Sequence, residues 1–236
     1  MTAKSVILVH GAWADGSSWA KVIPRLTAQG LAVTAIQMPL VSFGDDVAAL
    51  RRALALADPP VVLVGHSYGG AVITEAGNDP KVSALVYVAA FAPDAKESAA
   101  SLGQTVDPPP MSAEVRPDAS GFLKLTETGI RQHFAQDLSD EDKTVLFAAQ
   151  APTAVASLTG TVSEAAWRSK PSWYLLSSED HAIQPKLQRF MAGRMHATVV
   201  KISSSHLAML SHPDVTVHLI TEAVQSGMLP DSKTPI

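Results

Sequence analysis

Six short apolar runs recur along the chain, at residues 5–10, 31–38, 61–65, 82–90, 172–178 and 197–202. Each is rich in β-branched residues and nearly continuous in its hydrophobicity. That pattern predicts strands covered on both faces, as in a parallel sheet. Between them lie segments with helical character at 19–29, 45–57, 69–76, 184–195 and 213–227. The first ends at Gly30, the second stops before Asp58-Pro59-Pro60, and the last has Pro213 at its start and Gly227 at its end. Proline at the start and glycine at the end are ordinary helix punctuation. Strand–helix alternation of this kind predicts an α/β fold with right-handed crossovers.

Connection lengths single out one region. Residues 11–30, 39–60, 66–81 and 179–196 are each long enough for one crossover helix. The connection at 91–170 is several times longer. Its phenylalanines and leucines argue against a disordered loop. The expected organisation is a core of residues 1–90 and 171–236 with an inserted, mostly helical cap at 91–170, helical near 129–135 and 140–149. Asp107-Pro108-Pro109-Pro110 within it reads as a rigid turn.

Composition changes this picture little but removes several functions. The chain has 236 residues, enough for one domain with a large core. Its 18 basic and 22 acidic residues are dispersed and leave a net charge of −4. There is no basic stripe for nucleic acid and no polybasic patch for a membrane surface. No run approaches the ~18 apolar residues of a membrane helix. The apolar stretch at 6–9 is too short for a signal peptide, so a cytoplasmic location is the default. Cysteine is absent, which rules out thiol catalysis and cysteine-held metals.

The candidate chemistry lies where the third run ends. Gly65-His66-Ser67-Tyr68-Gly69 matches G-x-S-x-G between a strand and a helix. On such a turn the serine is held in a strained conformation with its hydroxyl exposed. The alternative is a glycine-rich turn that only packs helix against sheet. A serine hydroxyl is a poor nucleophile without a base. His206, in Ser203-Ser204-Ser205-His206 just past the sixth run, lies on the same sheet edge, where sites form in open α/β sheets. His66 neighbours the serine and leaves the turn in another direction, and His10 reads as a residue shaping its own loop. A base needs an acid to fix its tautomer. Asp180 follows the fifth run on that edge, with Asp94 and Glu179 as rivals. The order Ser67, Asp180, His206 is that of α/β-hydrolases. The backbone N–H groups of Tyr68 and Ala12 are placed to bind a developing oxyanion.

His10-Gly11-Ala12-Trp13, Gly65-His66-Ser67-Tyr68-Gly69, Phe91-Ala92-Pro93, Ser178-Glu179-Asp180 and Ser205-His206 together resemble the small α/β-hydrolases that include plant methyl esterases and hydroxynitrile lyases. The chain looks closest to bacterial esterase-like members. The resemblance covers 1–93 and 165–226 well and the insert poorly. It implies an α/β-hydrolase fold with a six-stranded, mainly parallel sheet, and it favours Asp180 over Asp94. Lyases of the rubber-tree type carry a threonine and a lysine where this chain has Gly11 and Leu207, which argues for an esterase.

The expected function is therefore hydrolysis of a small, mostly apolar carboxylic ester by a serine esterase. Ser67, Asp180 and His206 are catalytic, and Ala12 and Tyr68 form the oxyanion hole. Gly11, Trp13, Phe91, Phe122, Trp167 and Leu207 are candidates for the substrate pocket. No metal and no cofactor is called for. The expected partner is a small-molecule ester, with neither nucleic acid nor membrane involved, and a homodimer is open. Three alternatives use the same shell: a hydroxynitrile lyase-type carbon–carbon lyase, a cofactor-free oxygenase or perhydrolase, and a ligand receptor.

Overall fold

The computed structural model describes residues 5–226. Six strands build the main sheet: β1 (Ser5–Val9), β2 (Ala32–Ala35), β3 (Val61–His66), β4 (Val82–Val88), β8 (Ser172–Ser177) and β9 (Thr198–Ile202). Three short strands, β5 (Val115–Pro117), β6 (Phe122–Leu125) and β7 (Thr153–Ala154), form a separate antiparallel sheet. The main sheet is parallel at every pairing and runs β2-β1-β3-β4-β8-β9. Val6 to Val9 and Val61 to Val64 are at most 1% exposed, as expected of central strands covered on both faces. The edge strand β9 is largely exposed.

The helices are α1 (Ile23–Thr27), α2 (Phe43–Leu56), α3 (Gly69–Ala76), α4 (Ala99–Gly103), α5 (Glu127–Gly129), α6 (Asp140–Ala149), α7 (Val155–Thr159), α8 (Pro185–Arg194), α9 (Ala208–Ser211) and α10 (Pro213–Ser226). Segment 19–29, read as one helix, is broken. A 3₁₀ turn over Gly16–Trp19 precedes α1, which starts with Pro24 in its first turn. The second strand is shorter than its apolar run, because the chain leaves the sheet after Ala35. No helix among the described residues is long and apolar enough to cross a membrane. The predicted Gly227 helix end and the tail at 229–236 lie outside the described residues.

The strand order positions the site. The chain moves outward from β1 to β2, then returns to the other side of β1 to lay down β3. The carboxyl ends of β1 and β3 thus flank a crevice where the order reverses, the usual place for a ligand in an open α/β sheet. Segment 91–170 leaves the sheet after β4 and returns before β8. It carries the small sheet as well as α4 to α7, a sheet its hydrophobic pattern did not announce because each strand is only two to four residues long.

Candidate active site

Ser67 follows the last residue of β3 and stands at φ +54°, in the left-handed region that a side chain makes costly. The turn survives because the surrounding residues fix it. Ser67 N–H donates to Val88 O of β4, and Ser67 O accepts from Gly70 and Phe91. Gly69 is obligatory: a Cβ there would lie 2.5 Å from the carbonyl oxygen of His10. The bare Gly11 plays the matching part on the facing loop. A Cβ at that position would stand 2.7 Å from Ser67 Cβ and 3.0 Å from His66 Nδ1.

The loop after β1 is braced from both sides. His10 donates from Nδ1 to Gly11 O (2.8 Å) and accepts at Nε2 from Met38 N–H (3.0 Å). Trp13, at φ +56°, donates its backbone N–H to Thr153 Oγ1 (3.1 Å) and its indole N–H to Leu123 O (2.9 Å), both in the insert. Between these anchors, the Ala12 N–H has no acceptor among the described residues, and neither does the Tyr68 N–H at the start of α3. Both residues line one cavity with Ser67. Two unsatisfied amides beside a serine are the donor pair an oxyanion requires.

The Tyr68 ring turns away from that cavity's chemistry. Its hydroxyl donates to Asp46 Oδ2 (2.7 Å), which also accepts from Ser157 Oγ (2.9 Å), while Asp46 Oδ1 accepts from Leu40 N–H (2.8 Å). Burial pushes the Asp46 carboxyl above its ordinary value, with the three donors pulling the other way. This carboxylate ties α2, the serine turn and α7 of the insert together.

His206 and Asp180 meet on the same sheet edge. His206 is 1% exposed and its Nδ1 lies 2.7 Å from Asp180 Oδ2. Because a carboxylate only accepts, Nδ1 carries the proton and Nε2 is left with a free lone pair. Asp180 is itself fixed: Oδ1 accepts from the Ala182 and Ile183 amides (2.7 and 2.9 Å), and Oδ2 accepts from Gln188 Nε2 (2.8 Å). Gln188 on α8 is fully buried and also donates to Ile183 O and accepts from Ser177 N–H. The two rivals are elsewhere. Asp94 is held by Arg168 in a surface ion pair, and Glu179 is exposed.

The His206 ring packs between His66 (centroids 4.7 Å) and Phe134 (5.1 Å). His66, immediately before Ser67, donates from Nε2 to the backbone carbonyl of His206 (3.0 Å). The serine turn and the histidine loop are thus joined directly. The Ser67 hydroxyl has no hydrogen-bond partner among the described residues; the bond to a base is commonly long in ligand-free sites and tightens when substrate binds. The insert clasps the same loops. Asp137 Oδ2 accepts from Ser205 N–H (2.9 Å), Gln136 donates to Glu179 O (2.6 Å), and Met111 N–H donates to His181 O (3.1 Å).

The cavity at Ser67 has a volume of about 480 Å³ and no charged side chain in its wall. Of the residues expected to wall it, Trp13 and Phe91 do. Phe122, Trp167, Leu207 and Gly11 are not in the wall. Phe122 is paired into the small sheet opposite Ala154. Trp167 donates its indole N–H to Pro93 O (2.9 Å) and is stacked by the guanidinium groups of Arg168 and Arg194. Leu207 is fully buried at the start of α9. Gly11 lies against Ser67 Cβ and the His66 ring. The wall instead draws on α4, on the turn around Val106 to Met111, and on Leu158 and Ile183. No group of side chains suited to a metal ion occurs among the described residues.

Burial also sets the charge state of two histidines. It lowers His66 well below the ordinary imidazole value of 6.5, helped by neighbouring His206, and it lowers His10 as well. Both are neutral when folded and free to protonate once unfolded. Unfolding therefore takes up protons below pH 6.5, so the stability tied to these groups is present above pH 6.5 and is lost as pH falls toward their folded values. Tm should drop between pH 7.5 and 5, and the drop should be shallower in His66→Gln, which removes one such group. Thermal melts of the two proteins across that range check this; identical pH slopes would contradict it.

With the fold and these contacts in place, the class of protein is defined. The chain belongs to the α/β-hydrolase family, whose model matches residues 6–219. Methylesterase 8 of Arabidopsis thaliana is 27% identical, the match covering 94% of this chain and 90% of that protein. Salicylic acid-binding protein 2 of Nicotiana tabacum is 28% identical, over 89% of this chain and 93% of that protein. Among solved structures, a pyrethroid hydrolase from Sphingobium faniae JZ-2 superposes with a TM-score of 0.84, covering 95% of this chain and 98% of the other at 22% identity.

Proposed function

We propose that this chain is a serine carboxylesterase acting on small-molecule esters. The observation that carries the reading is the Asp180–His206 hydrogen bond, joined through His66 to a serine held at φ +54° on the cavity wall. In this reading Ser67 Oγ attacks the ester carbonyl while its proton passes to His206 Nε2. The Ala12 and Tyr68 amides bind the oxyanion, and Asp180 stabilises the imidazolium. Collapse of the tetrahedral intermediate breaks the bond to the alcohol, which leaves with the proton from His206. Water then attacks the acyl-enzyme, giving up a proton to His206; collapse breaks the bond to Ser67 Oγ, which takes that proton back from His206 as the acid is released. No step draws on a metal or cofactor. The insert at 91–170 acts as the cap that closes the cavity over Ser67.

The full-length relatives named as methylesterases support ester hydrolysis over other chemistry on this fold. A lyase that needs a hydroxyl-bearing side chain at position 11 finds no room for it, since even a methyl group there would run into Ser67. Leu207 offers neither charge nor donor to a departing cyanide.

The test is mass spectrometry after treatment with a fluorophosphonate, alongside turnover of p-nitrophenyl acetate and butyrate. Labelling on Ser67 with turnover of both esters is expected. Labelling without turnover would assign an activated serine to another reaction or to ligand retention. Absence of both would overturn the proposal.

A further inference from the structure

The cavity at Ser67 is far larger than a small ester requires. At roughly 30 Å³ for a water-sized volume, its 480 Å³ holds about sixteen such volumes. An acetyl or methyl group would leave most of it unfilled. Its wall offers nothing for a charged group, and burying an unpaired charge there would be prohibitive. Apart from Ser67 and the Tyr68 hydroxyl, which is committed to Asp46, the polar side chains in the wall are Gln104 and Ser112; both belong to exposed residues, and the Ser112 hydroxyl is already committed to Pro109 O (2.7 Å). Most of the remaining wall is hydrocarbon.

One element creates the room. Helix α4 faces the cavity with Ala99, Ala100 and Gly103. Ala100 and Gly103 are three residues apart and so share a helix face. At Gly103 nothing in the packing demands a small residue. A Cβ at Gly103 would meet no heavy atom within 4 Å, whereas one at Gly65 or Gly69 would collide with backbone at 2.7 or 2.5 Å. The turn glycines serve the fold; the small face of α4 leaves space. The helix itself is well anchored, through the reciprocal Ser98–Ser101 capping box and through Glu97, which binds Arg194 of α8.

We infer that the preferred substrates are esters carrying an uncharged hydrocarbon chain of about six to ten carbons, sized to the cavity at water-like volume per carbon, and that Ala100 and Gly103 set the chain length accepted. The inference rests on the esterase reading. Each methylene moved from water to an apolar wall is worth roughly a fourfold gain.

The experiment compares kcat/KM for p-nitrophenyl acetate, hexanoate and octanoate, which lengthens the acyl side, and for ethyl and octyl acetate, which lengthens the alcohol side. In wild type one series should rise at least about tenfold from short to long. In Ala100→Phe and Gly103→Leu the long-to-short ratio in that series should fall about tenfold or more, in protein shown by thermal melting to be folded. A variant that does not fold leaves the other variant and the wild-type slope to decide. Equal kcat/KM for short and long esters in both series would overturn the inference. An unchanged ratio in the folded variants would overturn the assignment to α4. Turnover of acetate without length dependence would leave the esterase reading standing, whereas absence of Ser67 labelling and of all turnover would remove that reading first.

Discussion

Ser67→Ala should abolish ester turnover and fluorophosphonate labelling while leaving the fold as stable as before, or more so. Two independent features make the two halves of this result separable. The hydroxyl is the nucleophile in the proposed mechanism, and no other side chain in the cavity wall is placed to replace it: the wall holds no cysteine, lysine or histidine, and its other serine hydroxyl, at Ser112, is bonded to Pro109 O. Removing a member of such a unit typically costs on the order of 10⁶ in kcat, with a residual rate from the oxyanion donors and binding. Stability should move the other way. The Ser67 hydroxyl makes no hydrogen bond that alanine would lose, and the left-handed backbone at φ +54° is imposed by bonds from Ser67 N–H and to Ser67 O that alanine keeps. Steady-state kinetics with p-nitrophenyl butyrate and a thermal melt decide the matter. Near-wild-type turnover would displace Ser67 as nucleophile. Lost turnover with a collapsed melt would mean the serine is structural.

The sequence made the sheet, the serine turn and the order of the three candidate residues legible because each is a local signal. A continuous apolar run ending in glycine can be read from a few neighbouring residues, and so can a proline or glycine at a helix end. What escaped were contacts closed by tertiary folding. In sequence His66 is only a neighbour of the serine that points elsewhere; in the fold its ring reaches a carbonyl 140 positions away. Gln188 looks like any polar residue of an amphipathic helix, yet it is fully buried and holds Asp180. Asp46 occupies a helix first turn, where acidic residues are commonplace, and nothing in its surroundings in sequence says that three donors converge on it. The cavity wall failed for a related reason. Phe122 and Trp167 are large aromatic residues, which are as useful to a core as to a pocket. Part of the wall is instead set by small residues such as Ala99, Ala100 and Gly103, whose contribution is the space they leave, and space has no signature in a sequence.

Asp180→Asn should reduce kcat by about 10⁴ with KM altered only a few-fold, the scale expected when the base is held in the wrong tautomer. The surroundings of Asp180 make the reason specific. Its two oxygens receive four donors: the Ala182 and Ile183 amides, Gln188 Nε2 and His206 Nδ1. Two of these are backbone N–H groups and cannot reverse. They therefore hold the asparagine oxygen at the Oδ1 position and force its NH₂ toward Gln188 and His206. His206 can then meet it only by accepting at Nδ1, which moves the ring proton to Nε2 and removes the lone pair that Ser67 needs. Gln188 is left donor against donor, so the variant should also lose roughly 1–3 kcal/mol of stability. Asp94→Asn is the matched control. That carboxylate is engaged with Arg168 at the surface and does not touch His206, so its kcat/KM should stay within about twofold, since exposed ion pairs contribute little. If Asp94→Asn abolishes activity and Asp180→Asn does not, the acid partner has been assigned to the wrong residue. If the two variants are equally active, His206 does not depend on a carboxylate at all.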